Sequence, residues 1–504
     1  MGISEIIDRI YQVAPPAFGE PLDLLTLAKL QKHTAELVAA YRNSGLLETG
    51  PFEEARERAI YLHETDIRSI LQGGTVLVTG GSGCIGSLLM AQLADLGAGH
   101  IVSVDRVRPA VKSPVKPTVD TRFTFHQCDL YDLARLRQIF LAERPLVVFH
   151  LGAQRNPGLS ERQIRDTLRS NVAGTANVLH ATQECGAAHF VFSSTGKTSR
   201  YLTSEIYAAS KKIAEWQTIQ AGLDSTHTSY SVVRFTHVLD NSLVCSQIAD
   251  RIANDLPINV HAPHRYIIVQ SAREAVQLLL NSLVFSQPQS PKISLVHHLG
   301  WPGETLQHAL FTLAQSGKNL PMYFQGLPSG YEESFFAGQV SWDNALEIHP
   351  LVNVLENHTR TTDDSGDTLL IDPAPFSADQ LRAHLSHIDH AVADPNVSDA
   401  EMKCAAATAV HDVSLSSMNA APAQCVLKIL RWGTDPFQLE KCGDNLQKHR
   451  EIIHLLGESL VDRTTSEMEN YAGFDIGEMA SILHDVNQKW IPVTPEHFVA
   501  MNAC

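Results

Sequence analysis

Residues 190–212 read FVFSSTGKTSRYLTSEIYAASKK, and four side chains in this stretch are equipped for chemistry: Thr195, Lys197, Tyr207 and Lys211. Tyr207 and Lys211 are four positions apart, so on a helix they share a face, where an ammonium favours the ionised phenol. A free phenol ionises near pH ~10, so a tyrosine acts as a base near neutrality only with such help. Taking a hydride from a carbinol carbon requires taking the hydroxyl proton at the same time, which a phenolate does. Thr195, at the end of the apolar run HFVFSS, can hydrogen-bond the same hydroxyl and fix its orientation. By itself a tyrosine–lysine pair at this spacing is more often a chance surface pair, and its weight comes from what lies upstream. Lys197 poses a second question. Elimination of water needs both a base and an acid; Lys197 can be one of them, but its neighbour Gly196 is not the other, and Glu205 is the nearest carboxylate in the stretch.

Upstream, TVLVTGGSGCIGS places Gly80, Gly83 and Gly86 where an apolar β-branched run gives way to a helical pattern. The first glycine permits a sharp turn, the second lets backbone approach a diphosphate, and the third permits close helix–strand packing. Unpaired N–H groups at the helix start then face the phosphates. Asp105 ends the next apolar run, HIVSVD, where a carboxylate can take both hydroxyls of a ribose and so favours NAD; Arg106 follows it and can instead pair with the 2′-phosphate of NADP. The strand before, the helix after and the acid beyond make this more than an ordinary tight turn.

These groups need a scaffold, and the chain supplies one. The runs TVLVTG, HIVSVD, LVVFHLGA, HFVFSS and YSVVRF alternate with helical stretches such as DLARLRQIFLAE. That alternation predicts an α/β fold, a doubly wound Rossmann-type parallel sheet. Residues 1–72 carry apolar residues at helical spacing and predict a helical N-terminal extension. The predicted catalytic domain spans 73–345, with a small mixed substrate-binding region from about 240. TRTTDDSGDTLLIDPAPFSAD is polar and rich in breakers, so 346–374 is predicted to be a linker, and 375–504 a mainly helical C-terminal region.

Composition narrows the function. The 504 residues are too many for one core, 44% are hydrophobic and 19% charged, and the net charge is −16. An acidic chain is a poor general ligand for nucleic acid. No apolar run approaches the roughly 20 residues of a membrane span. The opening MGISEIIDRI lacks the basic-then-apolar order of a signal peptide, and Ile6 stands where an acylation signal has Ser or Thr. The eight cysteines form no CxxC pair, which predicts reduced thiols in a cytoplasmic protein. The 24 histidines include the pair His297–His298, but without HExxH or mixed Cys/His spacing no metal site is predicted.

On these motifs the chain resembles the extended short-chain dehydrogenase/reductase family: TGGSGCIG is similar to its TGxxGxxG loop and YAASK to its YxxxK pair. Within it, VVFHLGAQRNPGLSE, SNVAGTANVL, SSTGK and PINVHAPHRYIIVQSAREAVQLLL resemble the polysaccharide-biosynthesis (CapD-like) branch of nucleotide-sugar dehydratases and epimerases. The resemblance covers about residues 73–345. It implies that Gly80, Gly83, Cys84, Ile85 and Gly86 line the diphosphate of NAD or NADP, with NAD slightly preferred. It implies that Asp105 holds the adenosine ribose, Asp129 contacts adenine, and Leu151, Gly152 and Ala153 line the cofactor near the nicotinamide ribose. Thr195, Tyr207 and Lys211 are the implied catalytic set, with Lys197 beside it and Asn171 supporting the lysine through water. Arg265 is the implied contact to a nucleotide diphosphate.

Two departures matter. Relatives that remove water carry Asp–Lys after the threonine, and this chain carries Gly196–Lys197. Their RFGNV-like segment is RFTHV here, and the arginine of an RPGEK-like segment is absent from LPSGYEE, which leaves Arg265 and His237 to bind the anion. The expected activity is NAD(P)-dependent transient oxidation of a sugar hydroxyl, at C4, in a nucleotide sugar. The alternatives are net oxidation or reduction of a non-nucleotide substrate, and a non-catalytic cofactor-binding scaffold. The expected assembly is a homodimer or higher homo-oligomer, with no nucleic-acid or membrane partner.

Overall fold

The computed structural model describes residues 2–16, 22–108, 121–331, 333, 349–435, 446–460 and 463. They form two compact units. The larger comprises 61–235, 278–297 and 333–504, and the smaller 1–60, 236–277 and 298–332.

The larger unit is built on a nine-stranded sheet. In chain order its strands are β1 (Thr75–Thr79), β2 (His100–Asp105), β3 (Arg122–Gln127), β4 (Val147–His150), β5 (His189–Thr195), β6 (Ser229–Phe235), β7 (Lys292–Val296), β8 (Thr361–Thr362) and β9 (Thr368–Ile371). Their spatial order is β8-β9-β7-β6-β5-β4-β1-β2-β3. From β3 to β7 every pairing is parallel. The central strands are buried along almost their whole length, and every residue of SYSVVRF is buried. The chain leaves β1 toward β2 and β3, then returns to lay β4 on the other side of β1. This reversal opens a crevice at the carboxyl ends of β1 and β4, where doubly wound sheets bind ligands. The predicted doubly wound parallel sheet is therefore the observed one.

Four helices matter for the crevice: α1 (Cys84–Asp95), α2 (Leu133–Glu143), α3 (Gly174–Cys185) and α4 (Ile206–Asp224). Among the described residues, four more follow the sheet: α5 (Ala378–Ala393), α6 (Asp399–Ala420), α7 (Ala423–Gly433) and α8 (Leu446–Glu458). Helix α4 is buried on almost every side, because β5 and β6 cover one face and α5 and α6 another. Arg165 fixes the end of α5 by donating to the carbonyls of Ala391, Val392, Asp394 and Val397. Helices α5 and α6 are thus packed on the helix that carries Tyr207 and Lys211.

The structure corrects the predicted linker. Residues 349–372 contribute a helical turn, Val354–Asn357, closed by an Asn353–Glu356 capping box, and then β8 and β9, which extend the sheet in antiparallel fashion. The polar stretch is the turn between two strands: Gly366, with φ +79°, donates its N–H to Asp363 O. Breaker residues mark a hairpin and a linker alike, and only the buried TLLI run separates them. Residues 346–348 lie outside the described residues.

The smaller unit packs helices Ile3–Val13, Leu24–Asn43, Leu243–Ala253 and Thr305–Ser316 with a parallel strand pair, Ile258–Val260 and Met322–Phe324. Ile6, Ile10, Leu30 and Leu37 share one core with Ile258, Leu306, Leu310 and Phe324. The helical prefix drawn at 1–72 is therefore divided: residues 1–60 join the small unit, and Tyr61 onward joins the sheet unit. The reason is burial, since two short strands cannot cover their apolar sides alone. Among the described residues, no helix is long and apolar enough to cross a membrane.

Candidate active site

The glycine loop does what its spacing requires. Gly80 has φ +73°, and a Cβ there would sit 2.7 Å from Gly152 N, so the ends of β1 and β4 touch through bare backbone. A Cβ on Gly86 would collide with Gly80 O and lie 2.8 Å from Gly81 Cα. Gly83 is the N-cap of α1 and gives it no side-chain cap, so the positive end of the helix dipole there favours an anion. Asp105 closes the loop from β2. Its Oδ2 accepts from Ser82 N at 3.2 Å and its Oδ1 from Arg106 N at 2.7 Å, while Arg106 itself is exposed. A cradle that any Cβ would fill, an uncapped helix start and a carboxylate at the end of β2 fit a dinucleotide. Gly86→Ala is accordingly expected to weaken NAD binding by at least about tenfold, ~1.4 kcal/mol, in titration calorimetry.

The floor of the crevice is held by a buried histidine. Thr79 Oγ1 lies 2.7 Å from His150 Nδ1 and accepts from Gly152 N at 3.1 Å; His150 Nε2 lies 3.0 Å from Thr175 Oγ1. Burial, aided by the charge of Lys211, pushes His150 down to about 3, so the ring is neutral. This chain fixes Leu151, Gly152 and Ala153 beside Gly80. Asp129 follows β3, its Oδ1 accepting from Tyr131 N at 3.0 Å. Asn171 is buried in a π-helical turn, Arg169–Ala173. Its amide donates to Gln154 O and Ser210 Oγ, both at 3.0 Å, and its oxygen accepts from Gln154 N at 2.7 Å.

Thr195 ends β5, two strands from β1 on the same carboxyl edge. Tyr207, partly buried, and Lys211, buried, open α4. Lys211 Nζ donates to Ser193 O at 2.6 Å and stands 4.0 Å from the Phe192 ring centroid, so the helix start is tied to β5 just before Thr195. Burial pushes the Lys211 ammonium down to about 7, against the pull of Glu215 one turn on.

Lys197 has found an acid. Its Nζ lies 2.6 Å from Glu205 Oε2, which Arg200 Nη1 also reaches at 2.9 Å. Burial lowers the Lys197 pKa and Glu205 opposes that shift. The Asp of the resembled pair is not merely absent at position 196, because a Cβ on Gly196 would overlap Leu351 Cδ2.

Sequence reading missed the support behind this turn. Arg234, 1% exposed on β6, is paired with Glu215 of α4 at 2.5 Å and with Glu356 at 2.6 Å, and also donates to Leu351 O at 2.9 Å. Burial works against its charge, but the two carboxylates outweigh it and raise the pKa. Glu215 in turn accepts from Ser194 Oγ at 2.6 Å and Thr198 Oγ1 at 2.9 Å, on either side of Thr195. Asn353 Nδ2 donates to Ser199 O at 2.9 Å, and Tyr201 OH accepts from Val354 N at 3.2 Å. The one local signal was a charge inside a strand buried on both faces, which must have partners.

His237 and Arg265 belong to the smaller unit. The His237 ring is 2.7 Å from Ser242 Oγ, and burial lowers its pKa. Arg265 is exposed, its carbonyl accepting from Thr305 N at 3.0 Å. Among the described residues, no cluster of His, Cys, Asp and Glu could hold a metal ion.

Residues 76–256 match the family described as NAD dependent epimerase/dehydratase. The chain is 27% identical over 292 residues to the capsular polysaccharide biosynthesis protein CapD of Staphylococcus aureus, covering 56% of this chain and 47% of that one. It is 32% identical over 124 residues to the UDP-glucose 4-epimerase of Erwinia amylovora, 24% of this chain and 36% of that one. The chain thus spans half or less of the length of these relatives. Among solved structures, Pen from Bacillus thuringiensis shares the fold, with a TM-score of 0.50 at 16% identity over 60% of this chain and 90% of that one. With its glycine loop, its 3-2-1-4-5-6 strand order and these matches, the chain carries, over residues 76–256, a domain of the NAD dependent epimerase/dehydratase family.

Proposed function

We propose that this domain transiently oxidises a sugar hydroxyl, at C4 of a nucleotide sugar, in an epimerase- or dehydratase-type reaction. The observation that carries the reading is Lys211 bound to the Ser193 carbonyl, which ties the start of the Tyr207 helix to the Thr195 strand, on the sheet edge that holds the glycine loop. Gly80, Gly83, Cys84, Ile85 and Gly86 would hold the NAD diphosphate, Asp105 the adenosine ribose, Asp129 the adenine, and Leu151 to Ala153 the nicotinamide end. Bound NAD supplies the hydride acceptor. Thr195 orients the substrate hydroxyl, Tyr207 removes its proton, and the Lys211 ammonium favours the phenolate.

Two observations favour oxidation and re-reduction over loss of water. Leu351 fills the space beside Gly196, and both oxygens of Glu205 are engaged, Oε2 by Lys197 and Arg200 and Oε1 by Glu333 N. Glu205 therefore holds Lys197 in place and does not face a substrate. Of the two residues expected to bind an anion, both in the smaller unit, Arg265 is exposed, and burial lowers the pKa of His237. In a panel of UDP- and dTDP-sugars, at least one is expected to be converted without net NADH formation, with mass spectrometry finding no loss of water. Confirmed NAD binding with no product from the whole panel would sink the reading. Stoichiometric NADH release with a non-nucleotide alcohol would replace it by a net dehydrogenase.

A further inference from the structure

The loop between Thr195 and Tyr207 holds a charge cluster completed from far away in the chain. Lys197 and Arg200 share Glu205 Oε2. Arg200 Nη1 also reaches Glu333 Oε2 at 2.8 Å, and its Nη2 donates to Glu333 O at 2.8 Å. The Glu333 carboxylate accepts further from Thr203 Oγ1 at 2.5 Å, Ser204 N at 2.7 Å and Ser204 Oγ at 3.0 Å, and Glu333 N donates to Glu205 Oε1 at 3.1 Å. The side chains of Arg200, Glu205 and Glu333 are 7%, 5% and 7% exposed, whereas Lys197 is 22% exposed. The open member of the cluster is thus the lysine on the turn that follows Thr195, where its own N–H donates to Thr195 Oγ1.

We propose that Glu333 is a positioning residue for Lys197: acting through Arg200 and Glu205, it holds the Lys197 ammonium on the catalytic turn. Two cations and two carboxylates balance. Without the Glu333 charge, two cations compete for one carboxylate, and Arg200, the more buried and better equipped with donors, takes the larger share of Glu205. Lys197 then loses both its anchor and part of the negative field that keeps it protonated. The charged groups that face it are Glu205, Arg200 and Glu333. This inference rests on the proposed reaction only in calling the turn after Thr195 catalytic, not for the geometry of the cluster.

The test is competitive acetylation of the full-length protein with acetic anhydride across a pH series, following the Lys197 peptide by mass spectrometry. Only the neutral amine reacts, so the profile reads protonation of Lys197 without any substrate, and the result stands whether or not a nucleotide sugar is turned over. Glu333→Gln is expected to shift the profile to lower pH, with labelling on its acid side about threefold faster, the ratio produced by a half-unit change in pKa. Thr203→Val combined with Ser204→Ala, which strips two hydroxyl donors from Glu333, is expected to move the profile the same way and serves if Glu333→Gln does not fold. A folded variant with the wild-type profile overturns the proposal.

Discussion

Tyr207→Phe is expected to lower kcat by about 10²–10⁴, the range general acid–base catalysis supplies, equivalent to ~2.7–5.4 kcal/mol of barrier. Removing one oxygen from a partly buried ring leaves the packing of α4 in place, so near-ultraviolet circular dichroism and the melting temperature should stay close to those of the parent. The loss should therefore appear as chemistry and not as unfolding. Multiple-turnover kinetics on whichever sugar nucleotide the panel identifies, with NAD saturating, is the measurement. A rate within a few-fold of the parent would remove Tyr207 from the base role. Full retention of the protein's function by a variant dead in catalysis would instead favour the scaffold alternative.

The largest structural effect is expected from Arg234→Met. The guanidinium is 1% exposed and the substitution leaves Glu215 and Glu356 facing one another without their cation. Breaking a buried pair by removing one partner costs about 3–5 kcal/mol, because an uncompensated charge stays inside. At roughly 2–4 °C per kcal/mol the variant should melt well below the parent in scanning calorimetry. Glu356→Gln is expected to cost less, since Arg234 keeps Glu215. The same variants bear on catalysis, because Glu215 also accepts from Ser194 and Thr198, which flank Thr195. An Arg234→Met protein that melts with the parent would show that the three charges are not coupled.

Both expectations draw on residues that differ in how visible they were beforehand. Tyr207, Lys211, Thr195 and the glycines at 80, 83 and 86 were legible from the sequence because their signals are local. A four-residue spacing puts two side chains on one helix face wherever the helix lies, and a glycine needed for a tight approach shows in the run it interrupts. The strand–helix alternation was legible for the same reason, since runs such as TVLVT and SYSVVRF state their own burial.

What the tertiary structure alone decided is which distant segments complete the site. Nothing near Arg234 announces Glu356, and nothing near Arg200 announces Glu333; those pairs form because folding returns residues 349–357 and Glu333 to the turn after Thr195. The predicted linker became β8 and β9 because a hairpin turn and a linker share the same polar residues, and the buried TLLI run, which pairs along β7, distinguishes them. The helical prefix joined the smaller unit because its apolar face found the Ile258 and Met322 strands. Local periodicity therefore determined the sheet, the glycine loop and the tyrosine–lysine helix. Burial and charge compensation across long sequence separations, which no short window of sequence contains, decided how Lys197 is held and what supports Thr195.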